Sequence, residues 1–200
     1  MKKGIFIFLL GLGATFFVAC SKSDDPVEEF VNWKENNESY FNSLFSQTSQ
    51  RIAAGDNSWR IIRKWSLQEN VQVSNDNYVI AHVLENGDGA DCPLFTDSVA
   101  VIYSGRLLPS TSYPTGLVFE KSYVGDFLVE TALARGFRIS STSLIDGFAT
   151  VLQQMHCGDR WEVYIPAAMG YGEVGNSSAG IPGHSVLIFD MKIKDIYHKK

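Results

Sequence analysis

Cysteine is scarce in this sequence, clustered charge is absent, and each lack removes a class of explanation. Cys20, Cys92 and Cys157 are the only cysteines in 200 residues, too few for a disulfide scaffold and without the C-x-x-C spacing of zinc or redox sites. His82, His156, His184 and His198 are equally dispersed, so neither a metal nor any other cofactor is expected. The formal net charge is −5 and the Lys and Arg residues are scattered, which leaves no footprint for gripping phosphates; nucleic acid is not an expected partner. No G-x-S-x-G elbow or Ser/His/Asp or Cys/His arrangement stands out, so covalent hydrolysis has no visible nucleophile. What the chain does have is 45% hydrophobic residues, enough to bury at least one full core.

The N-terminus reads as an address. Met1-Lys2-Lys3 is basic, Gly4 to Val18 is apolar, and the run closes on Phe17-Val18-Ala19-Cys20, the anatomy of an export signal. The tetrapeptide ending at Cys20 resembles a bacterial lipobox, which implies cleavage after residue 19, acylation of the Cys20 thiol and a membrane partner reached through the lipid. Each buried methylene is worth ~0.8 kcal/mol, so two or three acyl chains would anchor stably. Residues 20–26 are then a lipidated cysteine and a polar tether, since Ser21-Lys22-Ser23-Asp24-Asp25-Pro26 cannot start a core.

Residues 27–77 read as a helical extension with a connecting strand. From Pro26 to about Gly55, Phe30, Trp33, Phe41, Leu44, Phe45 and Ile52 recur near helical spacing, and Gly55-Asp56-Asn57 would end the helix. Its aromatic face either packs on the rest of the chain or pairs with a second copy as a homodimer; packing is the simpler reading. Residues 78–200 form the main domain, with strands expected at Tyr78 to Leu84, Asp97 to Leu107, around Val118 to Phe119, Arg160 to Pro166 and His184 to Ile196. One helix interrupts them. Leu144, Phe148, Val151, Leu152 and Met155 have its period, Ser143 is placed to cap its start, and Gly158 lies just beyond its end. The expected class is α+β, an antiparallel sheet with its apolar face covered by that single helix.

Gly170-Tyr171-Gly172-Glu173-Val174-Gly175 matches the G-x-G-x-x-G fingerprint. The stretch that follows, Asn176 to Gly183, cannot supply the helix whose N-terminus would receive a pyrophosphate, so the match fails on context.

The blocks Asp97 to Leu107, Val118 to Ser122, Leu144-Ile145-Asp146-Gly147-Phe148, Met155 to Trp161, Ile165-Pro166, Gly170-Tyr171-Gly172, Ile181-Pro182 and Leu187 to Asp190 occur in the order of the FKBP family of peptidyl-prolyl isomerases. Together they resemble that family over roughly Tyr78 to Tyr197. The resemblance implies a five- or six-stranded antiparallel sheet wrapped around one short helix, proline-containing polypeptides as substrates, and a pocket between helix and sheet. By similarity Phe148 is the pocket floor, a place often held by tryptophan. Tyr103, Phe119, Leu144, Ile181 and Phe189 are its walls, Tyr171 a hydroxyl donor and Ile145 a backbone N–H donor to a substrate carbonyl. Glu120 stands where the family usually has aspartate, and Arg135 takes the approximate place of an aromatic near Phe137. Segments Leu108 to Thr115 and Tyr123 to Arg135 look like insertions beside the pocket. An exported chain can form disulfides, and with Cys157 ending the helix and Cys92 on the loop entering the sheet, a Cys92–Cys157 bond is the expectation. A binding or chaperone module with little turnover is the alternative function, favoured by Glu120, Phe148 and the insertions.

Overall fold

A computed structural model describes residues 27–128 and 132–199. The export signal, Cys20 and the tether lie outside them. Helix α1 spans Trp33–Ala53, α2 Asp146–Leu152, and the strands are β1 Trp59–Arg63, β2 Tyr78–Glu85, β3 Ser98–Arg106, β4 Val118–Lys121, β5 Arg135–Arg138, β6 Arg160–Ile165 and β7 Leu187–Tyr197.

The strands form one antiparallel sheet in the order β1-β2-β6-β7-β3-β4, with β5 also paired to β3. One wing carries the connecting strand expected in the extension, and the other a strand, β5, that hydrophobic alternation did not reveal. β1, from the extension, pairs along β2 with Arg60 opposite Ala81, and β5 pairs the first half of β3 while β4 pairs its second half. Six of the seven strands, β2 to β7, lie within residues 78–200, in keeping with the five or six expected there, and β1 from the extension adds the seventh.

Alternation along the strands sorts the two faces. On β6, Trp161, Val163 and Ile165 are buried, and Gly147 at the start of α2 sits so close to Ile165 that a Cβ there would lie 2.3 Å from its Cγ2. Helix α2, with Phe148, Val151 and Leu152 buried, thus fills the inner face. It is two residues shorter at its start and three at its end than its apolar period suggested. Ser143 does not cap it; its hydroxyl bonds Ser141 instead, and Ile145 is the N-cap in extended conformation.

The extension is built into the same core. Trp33, Asn37 and Phe41 share one face of α1 at four-residue spacing and are buried, and Trp33 and Phe41 belong to the common hydrophobic cluster. Two polar contacts fix the docking: Trp33 Nε1 donates to Ser185 Oγ at 2.8 Å, and Asn37 Oδ1 accepts from Val186 N at 2.8 Å. Packing on the chain is what the aromatic face of α1 does here. The helix starts at Trp33, later than its apolar spacing implied, after a turn in which Asn32 adopts φ 48°.

Both segments read as insertions are tied to the rest of the chain. Ser110 and Ser112 bond the Glu29 carboxylate ahead of α1. Tyr123 Oη lies 3.3 Å from Ser104 Oγ, and Phe127 lies under the Arg160 guanidinium at 3.9 Å. Ser104 and Arg160 belong to the outer face, where Arg160 also pairs with Asp190 and Glu85. The first half of the second insertion is thus draped over the sheet's back, opposite α2.

Candidate functional site

At the open end of the inner face, rings from four strands and one helix meet. Phe148, 3% exposed, is their centre, with ring centroids 5.7 Å from Tyr103, 5.4 Å from Phe137 and 5.2 Å from Phe189. Phe119 joins through Phe189 at 5.6 Å. Most of these pairs are edge-on or tilted, as the ring quadrupoles prefer. Ile181 is buried in the hydrophobic core to which these rings belong, while Phe119, Phe137, Leu144, Ile145 and Tyr171 pack against that core only partly buried.

The backbone explains how distant residues reach this spot. Tyr103 and Gly105 lie on the inner side of β3, and a register shift between Gly105 and Arg106 marks a bulge in the pairing with β4. The bulge turns Phe119 inward alongside Glu120. A side chain at position 105 would have its Cβ 2.5 Å from Phe119 Cζ and 2.7 Å from Phe189 Cε1, so the glycine is what lets the two rings close over the strand. Ile145, extended just before α2, has an N–H that no backbone carbonyl takes among the described residues. Tyr171 follows a short 3₁₀ turn, Ala167–Met169, and Ile181 is held by an isolated bridge to Asn176. The glycine fingerprint is thereby accounted for: Gly172 and Gly175 have φ of 62° and 76° and shape this loop without opening an α-helix.

Of the residues singled out in the sequence, Tyr103, Phe119, Phe148 and Phe189 meet in the ring cluster and Glu120 is tied to Tyr103 through Arg135; Ile181 is buried in the wider hydrophobic core, and Leu144, Ile145 and Tyr171 pack against that core. Two residues had been undervalued. Phe137 is a full member of the ring cluster, and Arg135, two positions earlier on β5 and so on the same side, donates from Nη1 to the Tyr103 hydroxyl at 3.0 Å and to the Glu120 carboxylate. Arg135 thus ties the Glu120 carboxylate to the phenol. Burial first, and the Glu120 carboxylate second, push the Tyr103 phenol well above the ordinary tyrosine range, so it stays protonated. No general acid, base or nucleophile emerges among these groups.

The extension also touches the site. Lys64 Nζ lies 2.5 Å from Asp146 Oδ2, at the first helical position next to Ile145, and Trp65 N donates to Thr150 Oγ1 at 3.4 Å.

The expected Cys92–Cys157 bond is not formed; both are free thiols. Cys157 Sγ donates to Lys194 O at 3.1 Å, whereas Cys92 Sγ is 3.6 Å from His156 Nε2, so the two sulfurs are drawn to different partners. His156 Nδ1 is in turn 3.4 Å from Asp159, a Cys/His/Asp grouping that the sequence spacing did not disclose. Burial pushes the Cys92 thiol up, with Asp159 and Asp91 adding to it, which keeps it a neutral thiol.

A sheet wrapped on a short helix, with an aromatic cluster on its inner face and no group of metal ligands among the described residues, is an FKBP-like fold. A family model for FKBP-type peptidyl-prolyl cis-trans isomerases matches residues 93–194, just over half of the chain; the chain belongs to this family. It is 32% identical over 136 residues to the FKBP-type 22 kDa peptidyl-prolyl cis-trans isomerase of Escherichia coli, which covers 65% of this chain and 57% of that protein. The peptidyl-prolyl cis-trans isomerase Mip of Coxiella burnetii is 32% identical over 118 residues, 58% of this chain and 44% of its own. The chain thus spans about half the length of the curated relatives it matches. In structure it is similar to a peptidyl-prolyl cis-trans isomerase of Pseudomonas syringae, with a TM-score of 0.53 over 81% of this chain and 96% of that one. Their identity is 20%, a likeness of fold.

Proposed function

We propose that this chain isomerises X-Pro peptide bonds in exported proteins, acting from a membrane to which Cys20 anchors it. The observation that carries the reading is the convergence of Tyr103, Phe119, Phe137, Phe148 and Phe189 on one partly exposed cluster. Rotation about a prolyl bond breaks no bond. Its barrier of ~18–20 kcal/mol is lost amide resonance, and uncatalysed exchange takes on the order of tens to hundreds of seconds. The planar amide is charge-separated and the twisted one is not, so a dry ring-lined site favours the twisted form through differential binding. In this reading Phe148 is the floor, Tyr103, Phe119, Leu144, Ile181 and Phe189 enclose the pyrrolidine, and Tyr171 and the Ile145 N–H hold flanking carbonyls. Glu120 and Arg135 orient the Tyr103 phenol.

The test is exchange of a Leu-Pro tetrapeptide measured by NMR. Acceleration by the wild type, lowered about tenfold or more by Phe148→Ala and severalfold by Tyr171→Phe, is expected; no acceleration overturns the isomerase reading. Binding without acceleration would select a holding module instead. That alternative is favoured by Val174, which is 92% exposed on the loop between Tyr171 and Ile181. For the anchor, Cys20→Ser is expected to shift the protein from the membrane fraction to the soluble one and to abolish labelling by a fatty-acid probe. Pairing of two copies through α1 is kept as a proposal for sedimentation at several concentrations, with Tyr40 and Ile52 as its exposed apolar residues.

A further inference from the structure

Behind the loop that carries Tyr171, between that loop and α1, is a cleft of about 370 Å³. Its base is apolar, formed by Phe41, Val186, Pro166 and Ala167, and carboxylates stand around it: Glu38 from α1, Asp76 from the turn before β2 and Glu173 from the loop. Asn75 Nδ2 donates to Asn42 Oδ1 at 3.1 Å and links two of its walls. No lysine or arginine lines it, and His184 is its one potentially cationic side chain. Glu38 approaches a lysine only loosely, with Lys34 Nζ at 4.0 Å. Asp76 is held by the neutral donors Ser74 and Asn77, so its charge is not cancelled. One wall would not exist without the extension, since α1 supplies Asn37, Glu38, Phe41 and Asn42.

The chemistry selects an occupant. An apolar base beside three carboxylates, of which only Glu38 has a loose lysine partner, suits a long aliphatic stem ending in a cation, which lays its methylenes on the base and its head among the carboxylates. Ala167, Ala168 and Gly172, which line the cleft, bracket Tyr171 in the chain, and Gly172 N and O are fixed by Ala167 and His184. The cleft and Tyr171 therefore share one short loop.

We infer that this cleft is a second subsite for client polypeptide, taking a lysine or arginine side chain near the proline held by the aromatic cluster. The inference rests on the isomerase reading for its substrate, and it adds a preference that the cluster alone does not supply. Stretches with basic residues near proline are then bound preferentially over acidic ones, the more so at low salt.

The experiment uses the full mature chain and three fluorescent peptides: Leu-Pro-Phe flanked by lysines, the same flanked by glutamates, and the lysine peptide with alanine in place of proline. The lysine peptide is expected to bind about tenfold more tightly than the glutamate peptide. Glu38→Gln, Asp76→Asn and Glu173→Gln combined should erase that difference while leaving exchange of a neutral Leu-Pro tetrapeptide unchanged. The proline-free lysine peptide should retain weak binding that is sensitive to the same variant. Equal affinity for the lysine and glutamate peptides, or a preference unmoved in the variant, overturns the subsite. A preference that persists in a protein with no exchange activity upholds the cleft and removes the isomerase reading alone. Single Glu38→Gln, an exposed helix position, serves if the triple variant does not fold, and there a severalfold loss of the preference is expected and an unchanged preference overturns the subsite.

Discussion

Gly105 shows how little the site tolerates at the scale of a residue. Its missing side chain is the space in which Phe119 and Phe189 meet, so Gly105→Ala must move one ring or the other. Because Phe119 is only half-buried and can yield toward solvent, the expected result is about a tenfold or greater loss of prolyl exchange with a stability loss of only about 1–3 kcal/mol, read by NMR exchange and urea unfolding. Asp97 governs a different property. Its carboxylate accepts from Leu94 N at 2.8 Å and Lys199 N at 2.9 Å, with His198 Nδ1 also at 2.8 Å, and the two backbone donors hold its pKa below the usual carboxylate value. A carboxyl depressed in the folded state contributes stability above its unfolded pKa of about 3.9, and that contribution is lost as pH falls through the folded value. Asp97→Asn should therefore be less stable than wild type by a constant margin from about pH 5 upward, with the margin shrinking below about pH 4. Urea melts across that range would show it, and a margin that grows on acidification would contradict the assignment.

At the scale of elements, α2 is a short helix held at its first turn by two contacts. Seven residues cannot sustain a helix by propensity, so packing must hold it. Gly147 lets it close on Ile165, and the added methyl of Gly147→Ala, 2.3 Å from Ile165 Cγ2, should cost about 1–3 kcal/mol and displace the helix that carries Phe148. Lys64 grips the same turn through Asp146. A free carboxylate beside the Ile145 N–H would repel a substrate carbonyl, and Lys64 offsets it. Lys64→Met is accordingly expected to raise KM severalfold for the Leu-Pro peptide with little change in urea midpoint, because the pair is partly exposed and contributes little to stability. Rescue by the added change Asp146→Asn would separate this electrostatic role from a packing one.

At the scale of the whole molecule, α1 shares the core of the sheet, so one cooperative unfolding transition is expected of the described residues. Asn37 is fully buried and its side chain satisfies both Val186 N and Trp33 O. Asn37→Ala leaves a buried N–H unpartnered, which costs about 1–3 kcal/mol. The loss should appear as a shift of a single unfolding transition, followed by both tryptophan fluorescence and circular dichroism. Two separated transitions would mean that α1 undocks before the sheet unfolds. The same docking creates the acidic cleft, so a preference for basic clients and the stability of α1 should fall together in this variant.

The strands β2, β3, β6 and β7 and the helix α2 were legible in the sequence because period and turn chemistry are local signals, read from neighbours a few residues apart. The ring cluster was legible only through resemblance, since nothing in the spacing of Tyr103, Phe148 and Phe189 brings them together. β5 escaped notice because Arg-Gly-Phe-Arg has too little apolar alternation, and its strand character comes from the unpaired edge of β3. Likewise Asn37 reads as a polar surface residue of α1 until the N–H of Val186 needs an acceptor. The courses of the two insertions and the separate partners of Cys92 and Cys157 were settled by contacts across the sheet and between loops. Local sequence determined which segments could be strands or helices and which face of each was apolar. Partners distant in the chain, bringing hydrogen bonds and charges that no local pattern encodes, decided where those faces met.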